Sequence, residues 1–129
     1  MTPTHTEGIT RVVLAVQSAG GRAMKRDDGL VYDRDGRKRR RLSGPCDVYG
    51  VLPPCGLHVE IEVKVGDDPW RGPQRDFAKT MAGLGARVVL VRWHHRPVGD
   101  EADVVAGLGG RFLLLDGEGD AAAIVGALT

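Results

Sequence analysis

The run Cys46-Asp-Val-Tyr-Gly-Val-Leu52, Pro53-Pro-Cys-Gly56, Leu57-His-Val-Glu-Ile-Glu-Val-Lys-Val65 decides how this chain folds. From Leu57 onward, Leu57, Val59, Ile61 and Val63 alternate with His58, Glu60, Glu62 and Lys64. A period of two sends successive side chains to opposite faces of a strand, so one face is apolar and the other polar. The Pro/Gly loop joins two strand-like runs, Cys46–Leu52 and Leu57–Val65, as a hairpin. If it pairs Leu52 with Leu57, an antiparallel register sets Asp47 opposite Glu62. Facing residues have Cβ atoms about 4.5–5.5 Å apart, close enough for two carboxylates to share one cation. Lys64 projects from the same face roughly 6.6 Å further on. A slip of one residue would carry Asp47 to the other face.

Before this hairpin, residues 4–19 predict a helix, because Ile9, Val12, Val13 and Val16 fall on one stripe. Thr4 with Glu7 has capping-box spacing, and Gly20-Gly21 stops the helix. A short strand at Arg22–Arg26 follows, then an exposed hairpin from Leu30 to Leu42 turning at Asp35-Gly36. After the central hairpin, Gly66–Gly72 is a polar loop and residues 73–84 predict a helix with Phe77, Met81 and Leu84 inward. Ala86–Trp93 predicts a buried strand. A short helix at 101–108, a strand at Arg111–Asp116 and an Ala-rich helix at 120–128 complete the chain. The order predicts an α/β fold, a mixed central sheet flanked by helices. All 129 residues make one domain, with a core over about 5–93 and a small acidic βα appendage over about 98–129.

An apolar share of 42% supports one hydrophobic core. No run approaches the ~18 apolar residues of a membrane span. The first residues lack a basic stretch followed by an apolar one, and two cysteines nine positions apart form neither a disulfide scaffold nor a C-x-x-C pair. The expectation is a cytoplasmic protein with no membrane partner and no organic cofactor. A net charge of +1 conceals a segregation: Arg22–Arg41 holds nine basic and four acidic residues, whereas Val98–Thr129 holds one basic and six acidic. Arg37, Lys38, Arg39, Arg40 and Arg41 are consecutive, and like charges so crowded suit a polyanion. With Lys25 and Arg26 they are the candidate phosphate contacts. Five phosphate contacts would give binding a log–log salt slope of about −4 to −5.

Asp47 and Glu62 on one polar face offer hard oxygen ligands for Mg²⁺ or Mn²⁺. Such a cation polarises a phosphoryl group and lowers the pKa of a bound water, while the Lys64 ammonium orients that water or steadies the pentavalent phosphorane. The run Ser43-Gly-Pro-Cys-Asp-Val-Tyr-Gly50, then His58-Val-Glu-Ile-Glu-Val-Lys-Val65, resembles the PD-(D/E)XK nuclease superfamily, and within it the VRR-NUC group, whose small stand-alone members include phage and bacterial nucleases. Gln74 opens the next helix and Gly85-Ala-Arg-Val-Val89 leads the next strand, as in that group. The resemblance covers about residues 5–93. Cys46, not proline, precedes Asp47, and the tail from about 98 has no counterpart.

The resemblance implies a restriction-endonuclease-like fold and a Mg²⁺- or Mn²⁺-dependent DNA endonuclease, leaving 5′-phosphate and 3′-hydroxyl ends. It implies that Asp47, Glu62 and the Val63 carbonyl hold the metal. Lys64 then assists the water, and Gln74 supports the site or contacts phosphate. Glu7 sits where the superfamily often carries a further acidic residue; its rival role is the capping box. In 129 residues there is no room for a separate recognition domain, which favours branched, nicked or flapped DNA in replication, recombination or repair. Cutting two strands calls for a homodimer. The alternative is a non-catalytic nucleic-acid-binding or phage-assembly protein that keeps the fold.

Other residues carry plainer readings. Glu60 is a surface charge or a second-metal ligand, and His58 is peripheral. Cys46 is a buried thiol. Trp70 either stacks on a base or partner or folds back onto the core. His94 and His95, adjacent on a strand, should point to opposite faces and share no metal.

Overall fold

The computed structural model describes residues 2–26, 30–32, 38–40, 45–117 and 119–129. Helix α1 (His5–Ser18) begins at Thr4, whose hydroxyl accepts from Glu7 N at 3.2 Å while Thr4 N donates to Glu7 Oε1 at 3.2 Å. Both halves of the capping box therefore form. Strand β1 (Arg22–Lys25) precedes a separate two-stranded ribbon of β2 (Leu30–Tyr32) and β3 (Lys38–Arg40). The ribbon pairs Leu30 with Arg40 and Tyr32 with Lys38. The Asp35-Gly36 turn expected between them lies outside the described residues.

The main sheet has the order β1-β4-β5-β6-β7, with β4 (Val48–Leu52), β5 (Leu57–Val65), β6 (Arg87–Trp93) and β7 (Arg111–Leu115). β1, β4 and β5 run antiparallel, whereas β5, β6 and β7 run parallel. The parallel strands are linked by α2 (Gly72–Gly83) and α3 (Glu101–Gly107), and the chain ends in α4 (Asp120–Leu128). Among the described residues, the result is an α/β fold with a five-stranded mixed sheet flanked by four helices. No helix among the described residues is long and apolar enough to cross a membrane.

Alternation along β5 and β6 separates two layers. Val59, Ile61, Val63, Val89, Val91 and Trp93 join Ile9, Val12 and Val16 of α1 and Ile124 and Leu128 of α4 in the larger core. Burying each such side chain contributes about 1.5–3 kcal/mol. On the opposite face a smaller cluster gathers Trp70, Ala78 of α2, Val88, Leu90 and Val105 of α3. Trp70 is 4% exposed and belongs to this core, which decides between its two readings.

Two expectations change. The segment from about 98 is no appendage: β7 continues the main sheet beside β6, and α4 packs against α1. Arg11 Nη1 and Trp93 Nε1 both donate to Asp120 Oδ2, at 2.7 and 3.3 Å, tying that helix down. Along α2, Ala78 is fully buried while Leu84 is 77% exposed. The helix turns Gln74 and Ala78 toward the sheet, one turn apart, because Gln74 has a polar partner beneath it and alanine permits close approach.

Candidate metal centre

β4 pairs with β5 in the register that sets Leu52 against Leu57 and Val48 against Ile61. Asp47 lies one residue before β4, so the same register carries it to Glu62. β4 ends there, and the edge of β5 beyond Ile61 loses its strand partner. Asp47 takes its place: its Oδ2 accepts from Val63 N at 2.9 Å. This hydrogen bond fixes the Asp47 carboxylate, whose charge reaches the neighbouring Glu62 carboxyl. The Val63 carbonyl emerges on the edge that β4 has vacated.

Glu62 is 1% exposed, and its Oε2 is buried without a hydrogen-bond partner. Burial first, then the hydrogen bond and charge of Asp47, push its carboxyl well above the ordinary carboxylate range, with Lys64 pulling the other way. A buried acceptor lacking a donor is costly, by about 1–3 kcal/mol, and a cation is one way to satisfy it. The two carboxylates, the orphaned Glu62 oxygen and the Val63 carbonyl therefore fit a hard divalent cation. Among the described residues, no three or more His, Cys, Asp and Glu side chains already form a group that could hold a metal ion.

Lys64 is buried beside this pair. Its Nζ donates to Gln74 Oε1 at 3.0 Å and to Asp68 Oδ2 at 3.4 Å. Gln74 Oε1 also accepts from Arg71 N at 3.0 Å, so one side chain both starts α2 and holds the lysine. Sequence spacing and structure thus bring Asp47, Glu62, Val63, Lys64 and Gln74 together.

Other candidates fall elsewhere. Glu7 is exposed and occupied in the capping box, where its bonds to Thr4 lower its pKa. Glu60 is fully buried rather than a surface charge, because Arg26 and His58 both pair with it. Arg26 is also held by the Cys46 carbonyl at 3.1 Å and lies between the Tyr49 and Phe77 rings, 4.6 and 5.0 Å from their centres. Its guanidinium thus faces inward, away from the phosphate-contact role, whereas Lys25 is exposed. Lys38, Arg39 and Arg40 form β3; Arg37 and Arg41 lie outside the described residues. Cys46 is fully buried, and burial followed by the Glu62 and Glu60 charges raises its thiol pKa well above normal. His94 and His95 follow the end of β6, so strand alternation does not apply; their rings lie 4.2 Å apart at 54°. A cavity of about 370 Å³, lined by Leu52, Pro53, Leu57 and Leu128 among others, lies apart from Asp47 and Glu62.

Sequence reasoning passed over two contributors. His5 Nε2 lies 3.2 Å from the Val63 carbonyl and 3.4 Å from Asp47 Oδ2. The apolar stripe of α1, extended back four residues from Ile9, lands on His5 and would have marked it. Arg92, the second, is fully buried and donates to the carbonyls of Gly66 and Asp68, at 2.7 and 2.8 Å, holding the loop that carries Asp68 to Lys64. An arginine inside the apolar β6 run was its signal. Neither a protein-family model nor a curated protein matches this chain.

Proposed function

We propose that the chain is a divalent-metal-dependent DNA endonuclease, with a restriction-endonuclease-like fold of the PD-(D/E)XK, VRR-NUC kind. The observation that carries this reading is the Asp47–Glu62 pair, with a buried and unpartnered Glu62 oxygen, beside a lysine held by Gln74. Asp47, Glu62 and the Val63 carbonyl would hold Mg²⁺ or Mn²⁺. When bound, such a cation supplies Lewis-acid polarisation of the phosphodiester and a more acidic water. Lys64 keeps an ammonium at one fixed place, where it orients water or a phosphate oxygen; Gln74 and Asp68 position its Nζ. The basic β3 segment and the exposed Lys25 supply phosphate attraction without base reading. That favours structure over sequence as the feature selected in the DNA, acted on by a homodimer in the cytoplasm.

The test is cleavage of labelled linear, flapped and four-way-junction DNA with Mg²⁺ or Mn²⁺, comparing wild type with Glu62→Ala and Lys64→Ala. Cutting that disappears in both variants and in EDTA is the expected result. Salt-sensitive binding without cutting, unchanged in Glu62→Ala, would replace this reading with a nucleic-acid-binding protein.

A further inference from the structure

Helical phase decides which residue of α1 meets the candidate metal centre. Ile9, Val12 and Val16 face the sheet, and His5 stands one turn before Ile9 on the same side. Glu7, two positions on, is rotated about 200° from His5 and serves the cap instead. Gly8 sets the depth: a Cβ there would lie 3.0 Å from the Trp93 ring and 3.1 Å from Val63 Cγ1. The first turn of α1 therefore rests directly on the end of β5.

One His5 nitrogen, Nε2, reaches both the Val63 carbonyl and Asp47 Oδ2. Those are two of the three oxygens expected to hold a cation, and the third group, Glu62, has a buried oxygen with no partner. An imidazole nitrogen that meets both oxygens stands within reach of an ion bound between them. The ring is half exposed, so it can carry its proton on Nδ1 toward water and offer the Nε2 lone pair. Resting on the metal-centre reading above, we propose that His5 is a nitrogen ligand of the divalent cation held by Asp47, Glu62 and the Val63 carbonyl, and that it makes the site prefer Mn²⁺ to Mg²⁺. Mg²⁺ favours all-oxygen octahedral shells and keeps its waters, whereas first-row transition ions gain from imidazole.

Mn²⁺ titration of the full chain, followed by electron paramagnetic resonance, tests this without requiring catalysis. Wild type should bind Mn²⁺ with a pulsed-resonance nitrogen-14 coupling that disappears in His5→Gln. Mn²⁺ affinity should fall about tenfold or more in His5→Gln and His5→Ala, and Mg²⁺ affinity, read by competition, less than about twofold. Circular dichroism checks that the variants keep the fold. Bound Mn²⁺ without the coupling, equal losses for both ions, or no Mn²⁺ binding by wild type would each overturn the proposal. Nitrogen-coupled Mn²⁺ in a chain that cuts no DNA supports the His5 assignment and sinks the nuclease reading. Metal-dependent cutting by a chain with no nitrogen coupling does the reverse.

Discussion

Arg92 and Glu101 form a fully buried two-point ion pair, Nε and Nη2 of the arginine lying 2.6 and 2.7 Å from the two carboxylate oxygens. Glu101 Oε2 also accepts from Val98 N at 3.0 Å. The other guanidinium bonds go to the Gly66 and Asp68 carbonyls, so α3 is wired through β6 to the loop beside Lys64. Removing one partner leaves an uncompensated buried charge, which costs far more than an exposed pair contributes. Glu101→Ala should therefore destabilise the chain by about 3–5 kcal/mol in urea unfolding. A loss below about 1 kcal/mol would mean that the pair does not hold the fold.

Glu62 gives stability a pH dependence. Its folded-state pKa is raised by burial and by Asp47, above an unfolded value near 4.3. The folded state then holds the proton more tightly, so the carboxyl is tolerated at low pH and becomes destabilising as pH rises through the folded value. In EDTA, Glu62→Gln should gain stability over wild type as pH increases from about 5, with the gain levelling once Glu62 is ionised. Unfolding curves at several pH values check this; a gain that does not vary with pH contradicts it.

Gln74 is the nearest partner of a buried ammonium. Gln74→Ala leaves Lys64 with the longer Asp68 contact and costs about 1–3 kcal/mol. If the nuclease reading holds, turnover should fall while DNA affinity stays close to wild type, because Nζ is displaced and the basic β3 segment is untouched. Single-turnover cleavage alongside binding isotherms separates the two effects.

The two cysteines should react unequally. Cys55 is exposed, whereas Cys46 is fully buried with its thiol held protonated. A thiol reagent at pH 8 should label one cysteine per native chain, mapped to Cys55, and two in denaturant. Rapid native labelling of Cys46 would show that the structure around this buried thiol opens readily.

Gly8 can be tested sterically. Gly8→Val places atoms against the Trp93 ring and Val63, which cannot all give way, and should cost about 1–3 kcal/mol. Urea unfolding reads the loss, which near-zero values would refute.

Much of this molecule was legible in its sequence for a local reason. Period-two alternation and a four-residue loop specify the β4–β5 register, and that register alone carries Asp47 to Glu62. Capping-box spacing likewise places the start of α1. These signals act between residues close along the chain, where backbone geometry leaves few alternatives. Only tertiary structure decided the rest. Glu60 reads as a solvated charge until Arg26, 34 positions away, is found against it. The tail reads as an addition until β7 is seen hydrogen-bonded to β6. His5 joins the site only once α1 is laid across β5, 58 positions from the Val63 carbonyl it meets. Such pairings depend on how layers stack, and stacking is set by the summed burial of many side chains rather than by any short pattern.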